Sequence, residues 1–125
     1  MNGYKTFEDL SCYRAARDFR LNISHWAKSL PKDEKYLLKS QILRSSRSVP
    51  ANIAEGYGRY HFKENIQFCR QARGSLTETL EHLNLALDEE YLSKDLYNQL
   101  RADYENCLKI LNGYISYLQR CLKNK

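Results

Sequence analysis

The stretch Ser48-Val49-Pro50-Ala51-Asn52-Ile53-Ala54-Glu55-Gly56-Tyr57-Gly58-Arg59 decides how this chain folds. Its apolar positions continue a stripe that begins upstream. Leu38, Ile42, Ser45, Val49, Ile53 and Gly56 recur at spacings of four and three, which is the period of one helix face. The register survives Pro50, although a proline inside a helix removes one amide donor and presses on the carbonyl four residues back, here Ser46. Unbroken phase therefore predicts a helix bent at Pro50 rather than two helices, with the hydroxyls of Ser45, Ser46 and Ser48 solvating the freed backbone. Ala51, Ala54 and Gly58 place small side chains on one flank, where a neighbouring helix can come close. Gly56 and Gly58 are expected to end the element, because glycine accepts the left-handed geometry of a helix C-cap.

Working outward, the same period recurs on both sides. Residues 1–10 read as an ordered entry segment pinned by Phe7 and Leu10, with Asp9 or Ser11 capping the first helix. Helix 1, about Ser11 to Ser29, carries Cys12, Ala16, Phe19, Ile23, Trp26 and Leu30 on one face. Pro31 followed by Asp33 and Glu34 is a helix start signal, so helix 2 is expected from about Lys32 to Tyr57. Arg59-Tyr60-His61 makes the next turn, and Glu64 stands where it could complete a capping box with His61. Helix 3, about Phe62 to Glu89, points Ile66, Cys69, Ala72, Leu76, Leu80, Leu83 and Leu87 inward. Gly74 within it costs about 1 kcal/mol against alanine, which a close contact at that point is expected to offset. Ser93 is a good N-cap for helix 4, about Lys94 to Lys123.

Helix 4 carries a wide apolar face, with Leu100, Tyr104, Cys107, Leu111, Tyr114, Leu118 and Cys121 in one stripe and Leu108, Ile115 and Leu122 beside it. That width already fills a bundle interior. Ile110 and Tyr117, one heptad apart, form a second row, and Phe68 and Leu85 lie off the stripe of helix 3. These four residues are the candidates for a contact between subunits. Three short loops joining four comparable helices predict a single all-α domain over 1–125, an up-down-up-down antiparallel four-helix bundle. Two prolines and five glycines are too few for a β-sandwich with many tight turns.

Lys and Arg outnumber Asp and Glu by 20 to 15, unevenly along the chain. Residues 1–60 hold 11 basic and 6 acidic groups, residues 61–90 hold 3 and 6, and residues 91–125 hold 6 and 3. A basic first half beside an acidic third helix can steer a polyanion or pair subunits. Arginines recur in pairs three apart, adjacent on a helix surface: Arg14 with Arg17, Arg44 with Arg47, Arg70 with Arg73, with Arg20, Lys39, Arg59 and Lys63 nearby in sequence. Such guanidinium sets engage phosphates without reading bases, and some of the ten tyrosines, Tyr57 and Tyr60 beside Arg59 among them, could stack on unpaired bases. The competing reading is a structural or protein-interaction scaffold in which these arginines pair with acids of neighbouring helices or subunits.

Catalytic and metal constellations are not evident. Glu78 and His82 are four apart, not the Glu-x-x-His of a di-iron bundle, and helix 4 has no histidine, so no metal or cofactor is expected. Gly56-Tyr57-Gly58-Arg59 lacks the lysine and strand of a phosphate-binding loop. Cys12, Cys69, Cys107 and Cys121 form no CxxC pair, and Cys107 and Cys121 would lie about 21 Å apart on one helix. They read as buried, reduced thiols of a cytoplasmic protein that is not an enzyme. Asn52 and Glu55 are expected to hydrogen-bond within the bundle, with an arginine from another helix as the partner of a buried Glu55.

The Ser48–Arg59 stretch, together with Phe7-Glu8-Asp9-Leu10, Leu30-Pro31-Lys32-Asp33-Glu34 and Gly74-Ser75-Leu76-Thr77-Glu78, resembles the four-helix-bundle proteins encoded in intervening sequences of bacterial 23S ribosomal RNA genes. The resemblance implies a small cytosolic bacterial protein. It also implies kinship with the accessory protein of diversity-generating retroelements, a homopentameric barrel of four-helix bundles that binds nucleic acid. A closed homo-oligomer, a pentamer by this resemblance, that engages RNA or DNA through a basic face is the resulting expectation.

Overall fold

A computed structural model describes residues 6–125. Residues 1–5 of the expected entry segment lie outside the described residues. Phe7–Asp9 forms a 3-10 turn closed by a reciprocal box: Thr6 Oγ1 accepts from the Glu8 amide (3.1 Å), and the Thr6 amide donates to Asp9 Oδ2 (3.3 Å). Asp9 is thus used one turn early. Neither it nor Ser11 caps the first helix, α1 (Ser11–Ala27), which starts directly after the buried Leu10 with no side-chain cap. The predicted stripe Cys12, Ala16, Phe19, Ile23 and Trp26 is buried. The helix stops short of Ser29 because Leu30 precedes Pro31, and a residue before proline is pushed out of the helical region.

The second helix does not begin at Lys32. Lys32–Glu34 is a separate 3-10 turn, and α2 runs from Leu38 to Tyr57. Leu37, at φ −115° and ψ −106°, breaks the helical path between them. Glu34 then acts as the cap from four residues upstream: its Oε1 accepts from the Leu38 amide (3.1 Å) while its Oε2 accepts from Tyr91 Oη (2.9 Å). The acidic signal after Pro31 closes a turn and caps the helix beyond it.

From there α2 is one continuous helix through the buried Pro50. The serine hydroxyls do not reach the carbonyl that Pro50 frees. Ser45 and Ser46 donate to the carbonyls of Ile42 and Leu43, each at 3.3 Å, and Ser48 Oγ accepts from Asn52 Nδ2 and Ser75 Oγ, each at 2.9 Å. The C-terminal glycines also act differently from expectation. Gly58 is right-handed at φ −72°, and Tyr60 takes the left-handed conformation at φ 64°. Gly56 lies inside the helix where its neighbour approaches closely. A Cβ there would sit 2.7 Å from Asn65 Oδ1 and 2.9 Å from Phe68 Cβ, whereas one on Gly58 would meet only its own helix backbone. Ala51 is exposed, so the Ala51, Ala54 and Gly58 flank is not the contact line.

The third helix, α3 (Phe62–Asp88), has no side-chain cap from His61. It buries Ile66, Cys69, Ala72, Leu76 and Leu83 as expected, and also Asn65, Thr79 and Ala86, while Leu80 and Leu87 are half-buried. A straight helix drifts relative to a seven-residue repeat. Over 27 residues that drift moves Leu87 off the seam and brings Ala86 onto it. Gly74 has nothing within 4 Å of an added Cβ, so no close contact offsets its cost. The fourth helix, α4 (Lys94–Lys123), starts with Ser93 Oγ accepting from the Leu96 amide (3.2 Å) and buries Tyr97, Leu100, Tyr104, Cys107, Leu111, Ile115 and Leu118. Tyr114 and Cys121 are half-buried, and Leu122 is exposed.

Among the described residues there is no strand, and the four helices pack around one core. Each fully buried Leu, Ile or Phe of that core is worth roughly 1.5–3 kcal/mol. The backbones of α1 and α2, α2 and α3, α3 and α4, and α4 and α1 lie side by side. Between α2 and α3, Ser45 meets Thr79 (2.8 Å) and Ser48 meets Ser75. Between α3 and α4, Asn65 meets Tyr114 (3.1 Å), Arg73 meets Asn112 (2.8 Å) and Asn84 meets Tyr97 (2.6 Å). Every buried side-chain nitrogen and oxygen among the described residues has a partner, so these polar seams do not leave desolvated groups behind.

Candidate nucleic-acid interface

The outer side of α2 carries Lys39, Leu43 and Arg47 at successive spacings of four, which stacks them in one row. That row borders an open groove of about 690 Å³ lined by Lys35, Tyr36, Lys39, Ser40, Leu43, Arg44 and Arg47. A second groove of about 310 Å³, between α1 and α2, is lined by Phe7, Tyr13, Arg20, Arg47, Pro50, Ala51 and Ala54. Arg47 belongs to both. No carboxylate lines either groove, and Arg20, Lys39 and Arg47 make no ion pair among the described residues. Uncompensated positive charge therefore collects on the α1–α2 side.

The remaining members of the arginine set are distributed and largely neutralised. Arg14 lies 3.7 Å from Asp9 and donates to the Glu8 carbonyl (3.2 Å), and Arg17 lies 3.8 Å from Asp18. Arg44 turns toward α3, pairing with Glu78 and donating to Gln41 Oε1 (3.1 Å). Glu78 also faces His82 Nε2 at 3.2 Å. Burial pushes the Glu78 carboxyl up, but the hydrogen bond from His82 and the charge and hydrogen bond of Arg44 outweigh it and hold the group below its ordinary value. Arg59 is paired with Glu55 (3.2 Å) and Glu64 (3.8 Å), with its guanidinium 4.9 Å from the centre of the Phe68 ring. Glu55 is thus exposed and paired within its own helical segment, not buried against another helix. Lys63 shares a third groove with Arg59, Glu64 and Phe68. Arg70 is exposed without an ion pair among the described residues, and Arg73 bonds Asn112 on the α3–α4 side.

The eight candidate phosphate ligands do not share one face. Of them, Arg47 alone stands in the uncompensated α1–α2 patch, joined there by Arg20 and Lys39. Sequence reading misses Lys35 and Tyr36, because the start signal at Pro31 puts both inside a helix that begins only at Leu38. A signal was available: Tyr36, Leu37 and Leu38 are consecutive, and at 100° per residue three bulky apolar side chains cannot all face one core. Tyr36 is 80% exposed, with Lys35 Nζ 5.3 Å from its ring centre. Tyr57 is half-buried and Tyr60 exposed at the far end of α2.

The four candidates for a subunit contact also separate. Ile110 is half-buried against the core, and Tyr117 is 44% exposed, stacked on Tyr114 with ring centres 6.2 Å apart. Both continue the row of Asp103, which accepts from Asn22 of α1 (3.0 Å), so they face the α1–α4 seam. Phe68 is absorbed beneath Arg59 and against Gly56, and Leu85 is 41% exposed. Asn52 Nδ2 donates to the Ser48 carbonyl and hydroxyl, both at 2.9 Å, a bond within its own helix.

The thiols of Cys12, Cys69 and Cys107 are buried, and burial pushes each up to about 12, which leaves them in the protonated, unreactive form. Among the described residues no three His, Cys, Asp or Glu side chains converge as metal ligands, and no helix is long and apolar enough to cross a membrane.

Comparison with known proteins accords with this architecture. A protein of unknown function from the S23 ribosomal protein family of Bacteroides thetaiotaomicron VPI-5482 has a similar crystal structure, with a TM-score of 0.77 and 27% identity over 83% of this chain and 97% of that one. No curated protein matches significantly. The family model of the 23S rRNA-intervening sequence protein matches residues 8–113, from the first turn through most of α4. The chain therefore belongs to the 23S rRNA-intervening sequence protein family.

Proposed function

We propose that the protein is a non-catalytic, oligomeric binding module of the cytoplasm that engages the backbone of RNA or DNA through the α1–α2 side. The observation that carries this reading is the convergence of Arg20, Lys39 and Arg47, without a neutralising acid, on two grooves that contain no carboxylate. Cations held this way keep their full attraction for phosphate, whereas Arg44 and Arg59 must first give up Glu78, Glu55 or Glu64. With about four phosphates engaged by Lys35, Lys39, Arg47 and Arg20, log affinity should fall against log salt with a slope of about −3. Binding of labelled RNA across a salt series tests it. Arg47→Ala should weaken binding and flatten the slope by about 0.7–0.9, and no binding at low salt would refute the reading.

Up-down-up-down topology with a bend at Pro50 belongs to the same proposal. The topology is supported by cross-helix partners whose numbers rise on one helix as they fall on the next, Ser45 with Thr79 and then Ser48 with Ser75, and the bend by the amide donor that Pro50 lacks inside a continuous α2. A cytoplasmic location is supported by three buried, unpaired thiols, which a reducing compartment preserves. A homo-oligomer, pentameric by the family resemblance, is supported by the exposed part of Tyr117 and by Leu85, and would multiply weak phosphate contacts by avidity. The rival reading, a scaffold without nucleic-acid binding, is favoured by the engagement of Arg14, Arg17, Arg44 and Arg59 with acids of the same chain.

A further inference from the structure

Tyr36 combines exposure with a place in the carboxylate-free α2 groove. It lies in the turn just before α2, 80% exposed, with the Lys35 ammonium 5.3 Å from its ring centre. Its side chain lines the α2 groove together with Leu43, Lys39 and Arg47, and Leu43 with the carbon stems that long cations carry gives that lining apolar surface. Lys39 and Arg47 are eight residues apart, so their Cα atoms are separated by roughly 12 Å along the helix axis.

That lining is a poor fit for a phosphate backbone alone. A channel that only tracks phosphates gains nothing from an exposed aromatic ring or from an apolar side chain among its cations. A duplex would leave both unused, because its bases are already stacked on each other. A single strand offers phosphates and free base faces together, and every base has a face that stacks on an aromatic ring.

We infer that the α2 groove takes single-stranded nucleic acid, with an unpaired base stacked on Tyr36 and the flanking phosphates held by Lys39 and Arg47. This rests on the nucleic-acid reading above and narrows it to one strand form and one aromatic contact. Arg44 contributes less, since Glu78 holds it toward α3.

Fluorescence anisotropy with a labelled oligouridine of about a dozen nucleotides, beside a duplex RNA of the same length, tests the inference on the full chain at low salt. The single strand should bind more tightly than the duplex. Tyr36→Ala should weaken the single strand by about five- to a hundredfold, the range of one base–aromatic stack, and leave the duplex almost unchanged. Tyr36→Phe should bind as the wild type, because stacking needs the ring and not the hydroxyl. Arg47→Ala should weaken both ligands and reduce the single-strand salt slope by about 0.7. Tyr36 is exposed, so its variants retain the helical fold, which circular dichroism checks. Equal or tighter binding of the duplex, or a single-strand affinity unmoved by Tyr36→Ala, overturns the inference while the broader nucleic-acid reading stands. Absence of binding to either ligand overturns both.

Discussion

Gly56→Ala is the most direct perturbation of the α2–α3 seam. The new Cβ would lie 2.7 Å from Asn65 Oδ1, 2.9 Å from Phe68 Cβ and 3.1 Å from the Asn65 carbonyl oxygen. Ordinary contacts begin near 3.5 Å, so the first two are short by about 0.8 and 0.6 Å. Neither neighbour yields easily. Asn65 is buried, donates to Tyr114 Oη and accepts from the Cys69 thiol, and Phe68 Cβ and the carbonyl move only with the α3 backbone. Overpacking of this kind costs about 1–3 kcal/mol, and the rigid surroundings place it at the upper end. Alanine recovers about 1 kcal/mol of helix propensity over glycine, leaving a net loss of about 2 kcal/mol. For a chain of this size that lowers Tm by about 6–10 °C. Gly74→Ala is the matched control, since nothing lies within 4 Å of its added Cβ. It should gain about 1 kcal/mol and raise Tm by a few degrees. Thermal melts monitored by circular dichroism read both signs. A Gly56→Ala protein that melts at or above the wild-type temperature would refute the close-approach argument.

The same geometry sets two further outcomes. The Glu78 carboxyl sits below its ordinary value of 4.5 in the folded protein, so its contribution to stability is present above that value and is lost as pH falls through the folded one. Glu78→Gln should therefore flatten the loss of stability in acid, measured by urea titration from pH 6 downward, and an unchanged acid limb would count against the Arg44–Glu78–His82 cluster. If copies of the chain meet through α4, Tyr117→Asp should lower the mass seen by light scattering while the helical signal is kept. Ile110→Asp is the weaker test, because Ile110 also packs against its own core.

Helical class, the number of α-helices and the family were legible in the chain because each rests on local geometry or motif. The stripe Leu38, Ile42, Ser45, Val49, Ile53 and Gly56 is buried throughout, and Pro50 does not interrupt it. The start of α2 was not legible from the Pro31, Asp33 and Glu34 signal, because Glu34 also bonds Tyr91, 57 residues away, and that contact helps decide which turn it caps. The role of Gly56 was hidden for the same reason. A glycine near a helix end suggests a left-handed cap, but here the demand comes from Asn65 and Phe68 on the facing helix.

Sequence alone determined that this is an all-helical chain of the 23S rRNA-intervening sequence family with an excess of basic residues, since periodicity, motif and composition are properties of neighbours along the backbone. Only the tertiary structure decided which of those cations are paired with acids. Arg44 was claimed by Glu78, 34 positions on, while Arg47, three residues later, shares a groove with Arg20 and has no ion pair among the described residues. Charge along a sequence counts residues. Charge on a surface depends on which acid each one meets, and helix packing sets that.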